Sequence, residues 1–273
     1  ARSGGVGRQS AACQRTHLGW YLLQLLIAFM FAEVFNQMVP AFSLAREGVF
    51  TQLSPKIGLW AGLLALNMMW LKFTVIWRVG RAWALADGID PPENMLRGLN
   101  NHYSVKGFWQ CWHASFNKWL LKYVYIPAGG KSNVLLATSL TFAFVAIWHD
   151  AKIDLLAWGA LNAVFVCAET FIVSFLRKQA EALEQTRPLI HRLLSGLGAS
   201  ARIVMLFMVN LIGFNIGVNG FRGFLGQVSN NGWEFLEALF GAFVVLSAGA
   251  QLMFEIRRVE AGSRVPKAQH AKE

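Results

Sequence analysis

Two histidines are the side chains in this sequence best suited to chemistry. His113 stands in an aromatic, partly charged segment, Phe108-Trp109-Gln110-Cys111-Trp112-His113. His149 ends a run of about sixteen nearly uncharged residues, closing it as Trp148-His149-Asp150. An ionisable group is expensive in such a run and needs a reason. An imidazole takes up and returns a proton near neutral pH, and its neutral form is what a general base requires. Acyl transfer asks for one such base on the nucleophile and a second polar group that orients the reactants. His149 suits the first role, with Trp148 and Phe144 as apolar walls. His113, with Asn117, suits the second. The competing reading leaves His149 as a helix end at a membrane interface.

The elements that must position these residues are set by composition. Of 273 residues 55% are hydrophobic and only 15% charged, against about a quarter charged in a soluble domain. Mean hydropathy is +0.40. This is the composition of a membrane protein, and the excess of Lys and Arg then belongs to loops facing anionic lipid and not to nucleic acid. The three cysteines, Cys13, Cys111 and Cys167, are scattered. Their odd number and lack of paired spacing speak against a disulfide framework and a zinc site.

The apolar pattern predicts an all-α, polytopic transmembrane bundle of about six spans. They are Leu18–Val39, Ile57–Trp77, Asn133–Trp148, Leu155–Phe175, Ile203–Val218 and Trp233–Phe254, the third of them short for a full crossing. A polar N-terminal segment (1–16) precedes a helical domain (17–256), and a polar tail (257–273) follows. Asp90-Pro91-Pro92-Glu93 breaks any helix that enters it. Phe108 to Ile126 mixes aromatics with Lys118 and Lys122, as a re-entrant or interfacial helix does. Leu176–Arg202 reads as a solvated surface helix, Asn219–Gly232 as a Gly/Asn-rich loop. Twenty basic residues fall on the side of the termini and the two long connections and four on the other, which predicts cytosolic termini.

The order Phe108-Trp109-x-x-Trp112-His113-x-Ser115-x-x-x-Trp119, then Tyr123-Val124-Tyr125-Ile126-Pro127 with Gly129-Gly130, then Trp148-His149, resembles the signature of the membrane-bound O-acyltransferase family. Asn117-Lys118-Trp119 and Trp148-His149-Asp150 look most like the branch that holds the glycerol-uptake proteins, related to hedgehog acyltransferase. Motif identity covers roughly residues 95–165; elsewhere the likeness is one of hydropathy. The resemblance implies a helical bundle around a tunnel joining the two membrane faces. It makes His149 the catalytic histidine and His113 the second polar position, which holds His, Asn or Asp in different branches. Members are usually much longer, so it also implies that this chain is the C-terminal part of a longer domain.

The function that this resemblance implies is that of an integral-membrane acyltransferase of the endoplasmic reticulum. It would move a long-chain acyl group from acyl-CoA, a co-substrate and not a bound cofactor, to a lipid-linked or protein acceptor. Glycosylphosphatidylinositol-type lipids are among the acceptors implied. The expected partners are membrane lipids, acyl-CoA and the lipid or lipidated-protein acceptor. Trp112, Trp119, Tyr123, Tyr125 and Trp148 are candidates to line the acyl or CoA path, though aromatic belts at the interface are the commoner explanation of such residues. Lys118, beside Lys122 and Lys131, is a candidate for the CoA phosphates, with lipid headgroups as rival claimants. Asn117 is placed to orient a reacting carbonyl. A polyol transporter and a non-catalytic regulatory relative stay open as alternatives; the first lacks the broken, repeated spans of inverted-repeat transporters.

Overall fold

The computed structural model describes residues 6–38, 49 and 52–263, and every regular element among them is a helix. In chain order these are α1 (Val6–Met38), α2 (Pro55–Ala86), the short α3 (Val105–Cys111) and α4 (Ala114–Leu120), and α5 (Val134–His149). Then come α6 (Ile153–Thr186), α7 (Pro188–Leu211), α8 (Gly217–Asn230) and α9 (Gly232–Ser263). A π-helical turn follows α4 (Leu121–Tyr125) and another follows α7 (Ile212–Ile216). Among the described residues five stretches are long and apolar enough to cross a membrane: Leu18–Met38, α2, α6, α7 run together with α8, and α9 up to Ala261. α5 is apolar but has only 16 residues, about 24 Å of helix against a hydrocarbon core of about 30 Å.

Local chemistry sets the helix ends. Pro55 occupies the first turn of α2, where its missing N–H costs nothing. Ser104 caps α3 by accepting the Gly107 N–H at 3.0 Å, and Asn133 caps α5 by accepting the Leu136 N–H. The bundle is built from neighbours α5 on α6, α6 on α7, α7 on α9 and α1 on α2. Polar pairs close both ends. At one, Arg97 makes a two-pronged pair with Glu260 of α9 at 3.1 and 2.8 Å, and Arg81 of α2 reaches Asp90 at 2.7 Å. At the other, Ser54 donates to Glu234 at 2.6 Å and the Val218 N–H donates to Asp154 at 2.7 Å. Between them Glu169 of α6, buried, accepts the Lys106 N–H at 2.8 Å and Arg202 of α7 at 3.1 Å. A carboxylate at the start of α3 is favoured by the orphan N–H groups there, so α3 is fastened into the bundle.

Two expectations change. The connector at 176–202 is not one surface helix: α6 continues to Thr186, Arg187 leaves helical geometry, and α7 restarts at Pro188, because proline cannot continue the preceding helix. The Gly/Asn-rich stretch expected as a loop is helix α8. Val218, Phe221, Phe224 and Val228 recur at helical spacing on it, and buried Phe224 packs on Phe235 at 6.1 Å. α9 runs past Arg257 into the polar stretch as far as Ser263, with Glu260 paired to Arg97.

Candidate active site

The segment carrying His113 enters the bundle on one side only: Val105, Phe108, Ala114 and Leu120 are buried, while Lys118, Trp119, Lys122 and Tyr123 stay exposed. Trp109 of α3 donates its indole N–H to Asn162 of α6 at 2.9 Å and meets Trp158 edge-on at 5.4 Å. Asn162 is fully buried, and its amide donates to the Trp158 carbonyl at 2.9 Å. A buried amide with both ends bonded escapes the cost of desolvation. Trp158 in turn donates to Asn210 of α7 at 3.1 Å. These bonds fix the depth and rotation of α3 against α6 and α7.

Between α3 and α4 the chain turns through His113, whose φ of 44° and ψ of 55° lie in the left-handed region. It is the one non-glycine residue with positive φ among the described residues. Its imidazole packs on Trp77 of α2 at 4.5 Å and on Phe116 at 5.3 Å, with the Ser115 hydroxyl 3.5 Å from Nδ1. Phe116 then meets Trp148 at 4.6 Å, and Trp148 meets His149 at 4.8 Å. The two histidines of the sequence motif are thus joined by two intervening rings.

His149 ends α5 on an exposed edge. Besides Trp148, its ring meets Phe214 at 5.2 Å and Trp158 at 5.7 Å, both edge-on. Phe144, expected as a wall of His149, instead faces Trp119 at 5.7 Å. Its place is taken by Trp158 and Phe214, which sequence spacing alone did not single out. Phe214 sits in the π-turn after α7, and Gly213 beside it leaves room for Trp158: a Cβ there would stand 2.6 Å from the indole. π-turns of this kind recur at functional sites. The sequence signals that could have led to these partners are Asn162 and Asn210, polar residues inside apolar helices.

The other candidates form two groups. Trp112 packs against Phe108, Phe73 and Trp77 at 5.6, 5.8 and 5.6 Å, on the α2 side of His113. Trp119 links Phe116 (6.0 Å) to Tyr123 (5.3 Å). Lys118 and Tyr123 are exposed, and the Lys122 ammonium lies 5.2 Å from the Tyr123 ring. Asn117 stands one turn on from His113, its N–H bonded to the His113 carbonyl at 2.9 Å. Tyr125 lies in the first π-turn, close to Gly130, where the Gly129-Gly130 pair reverses the chain with positive φ at both residues. One surface therefore carries His149, Trp148, Phe116, Trp119 and Tyr123, with Lys118 on the same helix, while Trp112 braces His113 from behind.

The arrangement places one imidazole beside aromatic walls, a second imidazole two rings away, and exposed lysines along the segment leading away from it. The family model described as MBOAT, membrane-bound O-acyltransferase family, matches residues 13–209. The chain is 37% identical over 249 residues to membrane-bound O-acyltransferase GUP2 of Saccharomyces cerevisiae, covering 90% of this chain and 39% of that protein. It is 34% identical over 237 residues to membrane-bound O-acyltransferase gup1 of Schizosaccharomyces pombe, covering 87% and 40%. With the protein-cysteine N-palmitoyltransferase HHAT of Mus musculus it shares 28% identity over 228 residues, covering 80% and 43%. The chain thus spans about two fifths of the length of these relatives.

Proposed function

This chain belongs to the membrane-bound O-acyltransferase family, and we propose that it moves a long-chain acyl group from acyl-CoA to a hydroxyl or amine of a lipid-linked or protein acceptor. The observation that carries the reading is the seat of His149: one imidazole at the end of an apolar helix, set among Trp148, Trp158 and Phe214 and linked by ring contacts through Trp148 and Phe116 to His113. In this reading the acceptor O–H or N–H gives its proton to an unprotonated ring nitrogen of His149 while its oxygen or nitrogen attacks the thioester carbonyl. Collapse of the adduct breaks the C–S bond. The departing CoA thiolate takes the proton back from the imidazolium, leaving the acyl ester or amide, free CoA thiol and neutral His149. His113 holds the reacting groups in line.

The rest of the assignment rests on charge. Lys118, Lys122 and Lys131 form a cationic flank to which CoA phosphates would be drawn, on the side that the loop charges make cytosolic. We assign the protein to the endoplasmic reticulum membrane with both termini of this chain cytosolic, where acyl-CoA is at hand. A relative named for palmitoyl transfer to protein cysteine supports a protein acceptor, and glycosylphosphatidylinositol-type lipid is the lipid-linked alternative. The test is acyl transfer by the purified full-length membrane protein from radiolabelled palmitoyl-CoA to a panel of lipid and peptide acceptors. Labelled product with at least one acceptor is expected. Intact acyl-CoA with every acceptor, by a protein that still binds it, would contradict the reading.

A further inference from the structure

His113 occupies the N-cap position of α4, yet its side chain makes no capping bond. The first N–H groups of a helix must still be satisfied, and here another segment does it. Residues 87–104 run as a non-helical strap after α2, and Asn94 in that strap lies against the turn. Its backbone carbonyl accepts the Ala114 N–H at 3.0 Å and its side-chain oxygen accepts the Ser115 N–H at 2.9 Å. Two residues on, the Leu96 N–H donates to the Cys111 carbonyl at 3.2 Å, on the other side of His113. The strap is itself pinned to α2. Arg81 donates to the Pro91 carbonyl at 2.7 Å and to Glu93 at 3.3 Å, and Arg78 lies 3.7 Å from Glu93.

Bonds on both flanks of a residue held at φ 44° explain how a non-glycine side chain persists in that conformation. Such backbone is unfavourable for L-residues and survives only where the surroundings over-determine it. The division of labour also has a chemical result. A Ser, Thr or Asn at the cap would spend its own side chain on the helix. Because Asn94 caps in its stead, the His113 imidazole is left to pack on Trp77 and Phe116 and face the site.

We infer that Asn94 is a positioning residue for His113, clamping the left-handed turn so that this imidazole keeps its place beside Trp77 and Phe116. This rests on the acyltransferase reading for its kinetic consequence and on geometry alone for its structural one. The proton balance of the reaction is unchanged, since Asn94 touches no reactant.

The test uses the full-length membrane protein and three comparisons. Asn94→Ala is expected to lower kcat by about tenfold to a hundredfold, the range for a misplaced orienting group, with KM for palmitoyl-CoA within about twofold by the same orientation argument. Asn94→Asp, which keeps the accepting oxygen, should restore most of kcat. In a His113→Ala background, Asn94→Ala should cost almost nothing further, because a positioning effect vanishes with the group positioned. The third comparison is independent of activity: His113→Gly should melt higher than His113→Ala by roughly 2–4 °C. That measurement holds even where Asn94→Ala fails to fold. Full activity of Asn94→Ala, undiminished loss in the His113→Ala background, or equal melting of the Gly and Ala variants would overturn the inference. An inactive wild-type protein would count against the acyltransferase reading and leave the melting comparison to decide on the clamp.

Discussion

Phe116 and Trp148 stand with ring centroids 4.6 Å apart, and this contact joins the helix that follows His113 to the helix that ends in His149. It explains how two histidines from separate segments come to share one site. Aromatic pairs of this kind contribute about 0.5–1.5 kcal/mol beyond the area they bury, which is modest for folding and large for alignment. Phe116→Ala should therefore lower kcat by about tenfold or more, while the melting temperature falls by only a few degrees, roughly 2–6 °C. Phe116→Tyr should keep both. Steady-state kinetics and thermal unfolding in detergent read the two effects separately, and a Phe116→Ala protein with unchanged kcat would show that the contact does not align the site.

The buried pair of Glu169 and Arg202 sets a second expectation. The Glu169 side chain is 7% exposed and the Arg202 side chain 25%, so removing the carboxylate leaves a mostly shielded guanidinium without its partner. Breaking such a pair from one side costs about 3 kcal/mol or more, whereas replacing both partners by apolar groups is often close to neutral. Glu169→Gln alone should thus destabilise the protein markedly, and adding Arg202→Met should recover much of the loss. Thermal unfolding of the single and double variants measures this; additive losses would contradict it.

A pH dependence arises from His102, in the strap outside the membrane-spanning helices. It is buried against Phe108 at 5.3 Å. Burial first, and the Arg257 and Arg97 charges second, lower its pKa from 6.5 to about 4. Its folded value lies below its unfolded one, so the unfolded chain binds the extra proton as pH falls. Stability is therefore unaffected above about pH 6.5, declines as pH drops toward 4, and is reduced by at most about 3 kcal/mol there. His102→Phe should flatten the melting temperature across pH 4.5–6.5 relative to wild type. Parallel curves for the two proteins would show that another group governs the acid side.

Much of the helical bundle was legible because its spans are apolar runs bounded by charges, and the motif histidines stood out in that background. What escaped was tertiary. Nothing in the spacing of Phe144 and His149 said that Phe144 would turn to Trp119 while Trp158 and Phe214, from later helices, walled the imidazole. Helix α8 was missed because its glycines and asparagines outweighed a sparse apolar stripe that packs once Phe224 meets Phe235. Asn94 was missed for another reason: its role lies in bonds to a turn some twenty residues away, and a lone asparagine in a loop carries no pattern. Asn162 and Asn210, passed over in the sequence, are where the site could have been traced, since polar groups inside apolar helices must find partners.

The central claim is that His149 is the base. Replacing it with alanine removes a ring from an exposed helix end, so expression and melting temperature should stay near wild type. General-base catalysis contributes about 10²–10⁴-fold. The measurement is kcat for palmitoyl transfer by folded, full-length His149→Ala protein alongside its binding of palmitoyl-CoA. A fall of at least roughly a hundredfold in kcat, with binding retained, is the predicted result. A folded His149→Ala protein that transfers acyl groups at close to the wild-type rate would contradict it.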